Sequence, residues 1–279
     1  MATQTPVVFV LYCILGVNLL IVFPSLALGC TSCVHQSKLA YYAYPGAVDV
    51  GACGYGSFAE TLYGGNVGGS SRDLYRNGVA CGACYQMRCT DSKLCTKSGT
   101  TIVVTDFTES SQTDFVVTRS TFSSMALPDH GDQLLKAGII DIEYKRVPCQ
   151  YKNQNMSVKV DKLSRYPNYL AVQFLYQGGQ TDIVSVDVEQ VGSSEKHDLK
   201  RNYGAVWDIE NPPEGALQFG FVIVSGYNGK RVWPTKSVLP SDWKVGGVYD
   251  SGLQTNDVSL EKCSPCDHND RGWGDSRIP

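Results

Sequence analysis

At 279 residues the chain is longer than the roughly 100–200 usual for one domain, which points to two. Its 43% hydrophobic and 18% charged residues are enough for both halves to bury a core. With 24 basic and 27 acidic side chains spread along its length and a formal charge of −3, it has no block of positive charge for a polyanion, so no nucleic acid partner is expected.

Residues 7–27 are almost wholly apolar, from Val7 to Phe23 and on through Pro24-Ser25-Leu26-Ala27, long enough to span a bilayer. Their place at the extreme N-terminus and the small residues at the exit favour a signal peptide over 1–29. The absence of Lys or Arg ahead of the run keeps a signal anchor as the alternative. Either route delivers the rest of the chain to an oxidising compartment, so a secreted, extracellular protein is expected, with no membrane contact after cleavage. Cleavage removes Cys13 from 11 cysteines and leaves ten, an even number that predicts disulfides. Three Cys-x-x-Cys spacings, Cys30/Cys33, Cys81/Cys84 and Cys263/Cys266, would be zinc or redox readings in the cytosol, and secretion argues against both. His35, His130, His197 and His268 have no partner at metal-ligand spacing, so no metal and no cofactor is expected.

Between Lys38 and Cys149, short β-rich runs alternate with glycine or polar turns. Leu39–Tyr42, Tyr85–Cys89, Thr101–Thr105, Phe115–Val117 and Gly138–Val147 each suit a strand. The stretch Gly51–Cys89 holds Cys53, Cys81, Cys84 and Cys89 among glycines and has little apolar surface to bury. It reads as a disulfide-held wall beside a groove, or else as a loop-rich region with no site. A helical piece is expected at 120–127, with Ser120 as cap, Phe122 and Met125 at helical spacing, and Pro128 as its end. A polar run, Tyr151–Asn155, suits a linker at 150–162 and contains the glycosylation acceptor Asn155-Met156-Ser157. Cysteine-free strand runs follow at Tyr169–Tyr176, Ile183–Val188, Leu217–Val224 and Arg231–Trp233, with Gly178-Gly179 and Asn228-Gly229 as hairpin signals. A polar tail occupies 251–279. Many short strands and little helix make the chain all-β, with a compact barrel or sandwich in the first half and a sandwich in the second.

Several strings, in order, resemble plant expansins, and the Cys30/Cys33 pair with the extended tail points to the expansin-like A branch. They are Gly51-Ala52-Cys53-Gly54-Tyr55-Gly56, Ala80–Cys89, Thr105-Asp106, Ala137–Cys149, Pro167–Val172, Arg201–Trp207 and Leu239–Trp243. The resemblance implies a six-stranded double-psi β-barrel over 30–149, similar to family-45 glycoside hydrolases, and an immunoglobulin-like, cellulose-binding β-sandwich over 163–250. It implies the bridges Cys53–Cys81, Cys84–Cys149 and Cys89–Cys95, leaving Cys30, Cys33, Cys263 and Cys266 with three possible pairings. It places Tyr42, Tyr55, Asp106 and Asp114 along a polysaccharide groove in the first domain, and Tyr169, Tyr203 and Trp207 on a polysaccharide face in the second. A core position for these aromatics is the competing reading, and Trp233 and Trp243 are assigned to core or rim.

The departures from the family bear on chemistry. Anchoring on Phe122 puts Val116 where relatives carry the Asp that corresponds to a catalytic acid, and Ala40 where they carry a groove threonine. Glycoside hydrolysis needs two carboxyl groups across the scissile bond. Asp106 remains, with Asp114 and Glu109 as neighbours, and a structural role for Asp106 in capping a turn is equally open. No hydrolysis and no catalytic residue is expected. The expected function is a monomeric cell-wall protein that binds cellulose or xyloglucan and loosens or organises the wall. The alternatives are a wall-binding module without loosening activity and a weak endoglucanase using Asp106 with Asp114.

Overall fold

The computed structural model describes residues 33–224, 230–233 and 238–256, together with the backbone of 268–269. The expected signal peptide, Cys30, Cys263, Cys266, the expected hairpin signal Asn228-Gly229 and most of the tail lie outside the described residues.

The first half is a closed six-stranded barrel, as expected. Its strands are β1 (Cys33–Tyr41), β2 (Val67–Ser70), β3 (Cys84–Cys89), β4 (Thr100–Phe107), β5 (Phe115–Val117) and β6 (Ile140–Val147). They follow the ring order β1-β5-β2-β4-β3-β6, and β6 pairs back onto β1. The pairs β1/β5 and β2/β4 are parallel and the others antiparallel. Period-two alternation decides what fills the interior. Phe115 and Val117 point in while Val116 between them points out, and Leu39, Met87, Ile102, Val104 and Ile142 complete the packing.

β2 has the sequence Val-Gly-Gly-Ser and no strand propensity, yet it lies between β4 and β5 because both neighbours offer it backbone partners. Three short helices connect the barrel: α1 (Arg72–Tyr75), α2 (Arg119–Ser124) and α3 (Gly131–Ala137). α2 is the expected helix, but Thr118, not Ser120, caps it by accepting from the Thr121 amide, and it ends well before Pro128. α3 was not legible; it buries Leu134 and Leu135. The three implied bridges are formed, with Cα separations of 5.6 Å for Cys53–Cys81, 5.3 Å for Cys84–Cys149 and 5.8 Å for Cys89–Cys95. Cys81 and Cys84 therefore belong to different bridges, which removes them as a zinc or redox pair.

The second half is a single curled ladder of eight strands: β7 (Met156–Val160), β8 (Tyr169–Leu175), β9 (Asp182–Gln190), β10 (His197–Tyr203), β11 (Val206–Glu210), β12 (Leu217–Val224), β13 (Lys230–Val232) and β14 (Val248–Leu253). The order is β13-β12-β9-β10-β11-β8-β7-β14. β10 is the fold line, pairing with β9 through residues 197–199 and with β11 through 200–203, where the register shifts. The two layers so formed enclose Leu170, Val172, Phe174, Val186, Val188, Trp207, Phe219, Phe221 and Trp243.

Three expectations are corrected here. Residues 156–160, placed in the linker, form β7. The Gly178-Gly179 signal is not a hairpin, because β8 and β9 do not pair; the chain crosses there from one layer to the other. A Cβ on Gly179 would come within 2.5 Å of the Thr255 carbonyl, so the glycine serves close backbone approach. Finally, the start of the tail is ordered: Ser251–Leu253 ends β14, and Gln254 and Thr255 hydrogen-bond the 176–178 segment.

The two halves meet through many polar contacts. Cys149 and Gly179 exchange backbone hydrogen bonds, and the Ala205 amide donates to the Cys53 carbonyl. Gln173 donates to the Gly54 carbonyl and Arg201 to that of Gly78, while Arg201 is held within its own half by the carbonyls of Gly204 and Ile183. Asp182 of β9 takes ion pairs from Arg146 of β6 at 2.5 Å and from Arg76 at 2.7 Å.

Candidate functional site

Register aligns four residues across the outer face of the barrel. Ala40 of β1 sits beside Val116 of β5, Val116 beside Gly69 of β2, and Gly69 beside Asp106 of β4. The row presents a methyl, an isopropyl, a bare backbone and a carboxylate. Val116 thus occupies the middle of the row, between Ala40 and Gly69.

Tyr42 leaves β1 just past this row and folds back over it, its hydroxyl donating to Asp106 Oδ2 at 2.9 Å. Gly69 makes room for this: a Cβ there would stand 2.8 Å from the phenol oxygen. Burial, reinforced by the carboxylate of Asp106, pushes the Tyr42 phenol far above its ordinary range, so it stays protonated and keeps donating. The other oxygen, Oδ1, accepts from the Ala52 amide at 2.6 Å and the Phe107 amide at 2.8 Å. Asp106 thus lies in the row and anchors the Gly51–Gly54 segment. Tyr75 secures the same segment by donating to the Ala52 carbonyl at 3.1 Å, and burial and Asp106 raise its phenol to about 12.

Asp114 is held elsewhere, accepting from Ser37 Oγ at 2.6 Å. Its carbonyl bonds the Ser71 amide, two residues further along than Gly69, the partner of Asp106. Two strand spacings across and two residues along separate Asp106 from Asp114 by about 12 Å at Cα. Glu109 is exposed beyond the end of β4. Tyr55 is not in the groove: at 3% exposure it packs in a buried cluster with Cys53, Cys81 and Leu175, because the disulfides pull its segment against the second module.

On the second module, Tyr169 opens β8 and its hydroxyl donates to Asp208 Oδ2 at 2.5 Å. Asn202 donates to the same oxygen at 2.5 Å and to the Tyr169 hydroxyl at 3.3 Å. Burial and the Asp208 hydrogen bond raise the Tyr169 phenol, so this bond persists at neutral pH. Tyr203 is 39% exposed and its ring lies against Gly54 of the barrel. Trp207 departs from the expected face. It is 5% exposed and lies in the core, with the Arg201 guanidinium 4.2 Å from its ring centroid. Trp207 and Asp208 are consecutive on β11, so if Asp208 faces out Trp207 must face in.

These contacts join into one surface: the barrel row to Asp106, Asp106 to Ala52, Gly54 to Tyr203, and on to Asn202, Asp208 and Tyr169. Beyond Tyr169 it opens into a cleft of about 670 Å³ lined by Leu163, Arg165, Asn168, Asn202, Glu210 and Asn211. Asn202 and Asp208 were missed from sequence; their signal was strand alternation against Trp207. Asn155 lies in the loop just ahead of β7, and its side chain donates to Asp250 Oδ2 at 3.2 Å. Among the described residues no helix is long and apolar enough to cross a membrane.

Comparison with known proteins gives two family matches: the expansin C-terminal domain over residues 156–240, and a family described as lytic transglycolase over residues 68–144. The chain is 47% identical over 248 residues to expansin-like A1 of Arabidopsis thaliana, covering 88% of this chain and 93% of the relative. It is 41% identical over 245 residues to expansin-like A3 of Oryza sativa subsp. japonica, covering 86% and 89%. Among solved structures, the apo expansin of Clavibacter michiganensis superposes with a TM-score of 0.58 at 18% identity, covering 79% of this chain and 97% of that one. A mutant of the same bacterial protein, in complex with cellohexaose, matches equally well. With both modules matched in order and relatives at this identity over nearly their whole length, the chain belongs to the expansin family, in its expansin-like A branch.

Proposed function

We propose that the protein is secreted to the plant cell wall and binds β-glucan chains, cellulose or xyloglucan, across both modules without cleaving them. The observation that carries this is the continuous surface from the Ala40–Asp106 row to Tyr169. Sugar rings have apolar C–H faces and a belt of equatorial hydroxyls. The rings of Tyr203 and Tyr169 offer flat area for the former; Asp208, Asn202 and the cleft beyond them offer donors and acceptors for the latter. The cellohexaose held by the bacterial neighbour, a protein of the same fold, supports a glucan as occupant.

Chemistry without cleavage follows from what the carboxylates do. Asp106 is engaged by three donors and Asp114 by Ser37, and Val116, two residues from Asp114 along the chain, gives the row an isopropyl group with no proton to donate to a glycosidic oxygen. Many weak contacts spread over two modules can instead replace glucan–glucan hydrogen bonds, with affinity built by the linkage of the modules. Ala40 and Val116 also favour the second reading, a wall-binding module with no loosening activity, because both remove polar contacts from the groove.

Retention on crystalline cellulose tests the binding reading. Tyr169→Ala combined with Tyr203→Ala is expected to lower retention at least about tenfold with an unchanged melting temperature, a loss of about 1.4 kcal/mol or more. Undiminished retention by the folded double variant overturns the reading. Extension of heat-inactivated wall strips under constant load then separates loosening from attachment, and release of reducing ends from soluble β-glucan, abolished by Asp106→Asn, would establish the endoglucanase instead. Linkage of a glycan to Asn155 is checked by the mass lost on enzymatic deglycosylation of the secreted protein.

A further inference from the structure

Beside Tyr42, and outside the row already described, lies a cleft of about 590 Å³. One wall is the loop after β1, from Tyr42 through Tyr44, Pro45 and Val48; the other is Thr118, Arg119, Ser120 and Ser123 around α2; Glu60 closes one side. Nothing in the packing explains its contents. Tyr44 is 80% exposed and makes no ring contact among the described residues, so its ring face is open to a ligand. Arg119 and Glu60 are exposed, and neither is in an ion pair among the described residues. The Arg119 guanidinium rests 5.4 Å from the Tyr41 ring centroid, which holds its planar fork at the cleft.

We infer that this cleft is a branch subsite: it receives a neutral single-sugar substituent projecting from a β-glucan whose backbone lies on the Ala40–Asp106 row. The inference rests on the proposed glucan binding and deepens it by naming the substrate class. Tyr42 is shared by both sites, its hydroxyl on Asp106 and its ring in the wall of the cleft, so a branch leaving the backbone there enters directly. The size lies within the roughly 300–1,000 Å³ of small-ligand pockets. Tyr44 and Pro45 present apolar surface to a sugar face, while the serine and threonine hydroxyls, Arg119 and Glu60 offer both donors and acceptors to a ring of hydroxyls. One cation on a wall and one anion closing the side suit a polyol better than a uronate, whose carboxylate would be drawn to Arg119 and repelled by Glu60.

The test uses the full mature chain and two soluble oligosaccharides with the same β-1,4-glucan backbone, one bare and one carrying α-xylosyl branches, with titration calorimetry as readout. The wild type is expected to bind the branched compound about tenfold tighter. Tyr44→Ala and Arg119→Ala, made separately and checked for unchanged melting temperature, are expected to erase that preference and leave the affinity for the bare compound as it was. Equal wild-type affinity for the two compounds, or a preference that survives in both variants, overturns the inference and leaves the proposed glucan binding standing. Tighter binding of a uronate-branched compound than of the xylosyl one also overturns it. Failure of both compounds to bind overturns it as well, and retention of the same protein on cellulose then decides separately whether the proposed function holds.

Discussion

Asp208 shows how one carboxylate would set the quality of the proposed binding face. It accepts from both Tyr169 and Asn202, so the Tyr169 ring is fixed in orientation before any ligand arrives. Asp208→Ala frees that ring and is expected to weaken cellulose retention about three- to tenfold, with Asp208→Asn, which keeps an acceptor, falling in between. Retention equal to wild type in Asp208→Ala would show that the ring needs no such support. Residue types were good guides where chemistry leaves little choice, as for the six cysteines that form three bridges. They were poor guides to orientation. Tyr55 and Trp207 were assigned to surfaces and are buried, because an aromatic ring serves core and binding face equally well and only the phase of the strand distinguishes them.

Among elements, β2 is the instructive case. Its central position depends on neighbours that pair with it from both sides, and Gly69 within it leaves space for the Tyr42 phenol above. Gly69→Ala sets a methyl 2.8 Å from that oxygen and is expected to cost about 1–3 kcal/mol in denaturant unfolding. In a Tyr42→Phe background, where the oxygen is gone, the same change is expected to cost clearly less. An identical cost in both backgrounds would place the clash elsewhere, with the Asp106 Cβ as the next nearest atom at 3.3 Å. Strands rich in valine, isoleucine and aromatics, such as β4, β8, β9 and β12, were legible from their side chains. β2, β7 and β10 were not: two glycines, a polar approach and the run His-Asp-Leu-Lys-Arg-Asn-Tyr carry weak local preference, and tertiary pairing overrides it.

For the whole molecule, the decisive contact is the junction, where Asp182 of the second module lies between Arg146 and Arg76 of the first at 6% side-chain exposure. Burial alone works against its charge, and the two guanidiniums outweigh that, holding the carboxyl below its ordinary range. A lowered folded-state pKa stabilises above the unfolded value, near 3.9 for Asp, and the contribution is lost as pH falls through the lower folded value. Asp182→Asn is therefore expected to lower stability by about 3 kcal/mol at neutral pH, mainly by leaving the buried Arg146 guanidinium without its anion, since Arg76 is 39% exposed and solvent screens its share. The gap to wild type should narrow as pH drops below about 4. A gap unchanged from pH 7 to pH 3, measured by melting, would show that this carboxylate does not govern the junction. Composition, cysteine parity and the order of hydrophobic runs were sufficient for an all-β, disulfide-bearing chain in two parts, since those properties depend on local pattern and counting. Local pattern carries no record of which residues meet across several strands. Closure of the barrel put Ala40, Val116, Gly69 and Asp106 side by side, and docking of the modules brought Gly54 under Tyr203, so the single surface they form exists only once distant backbones have packed.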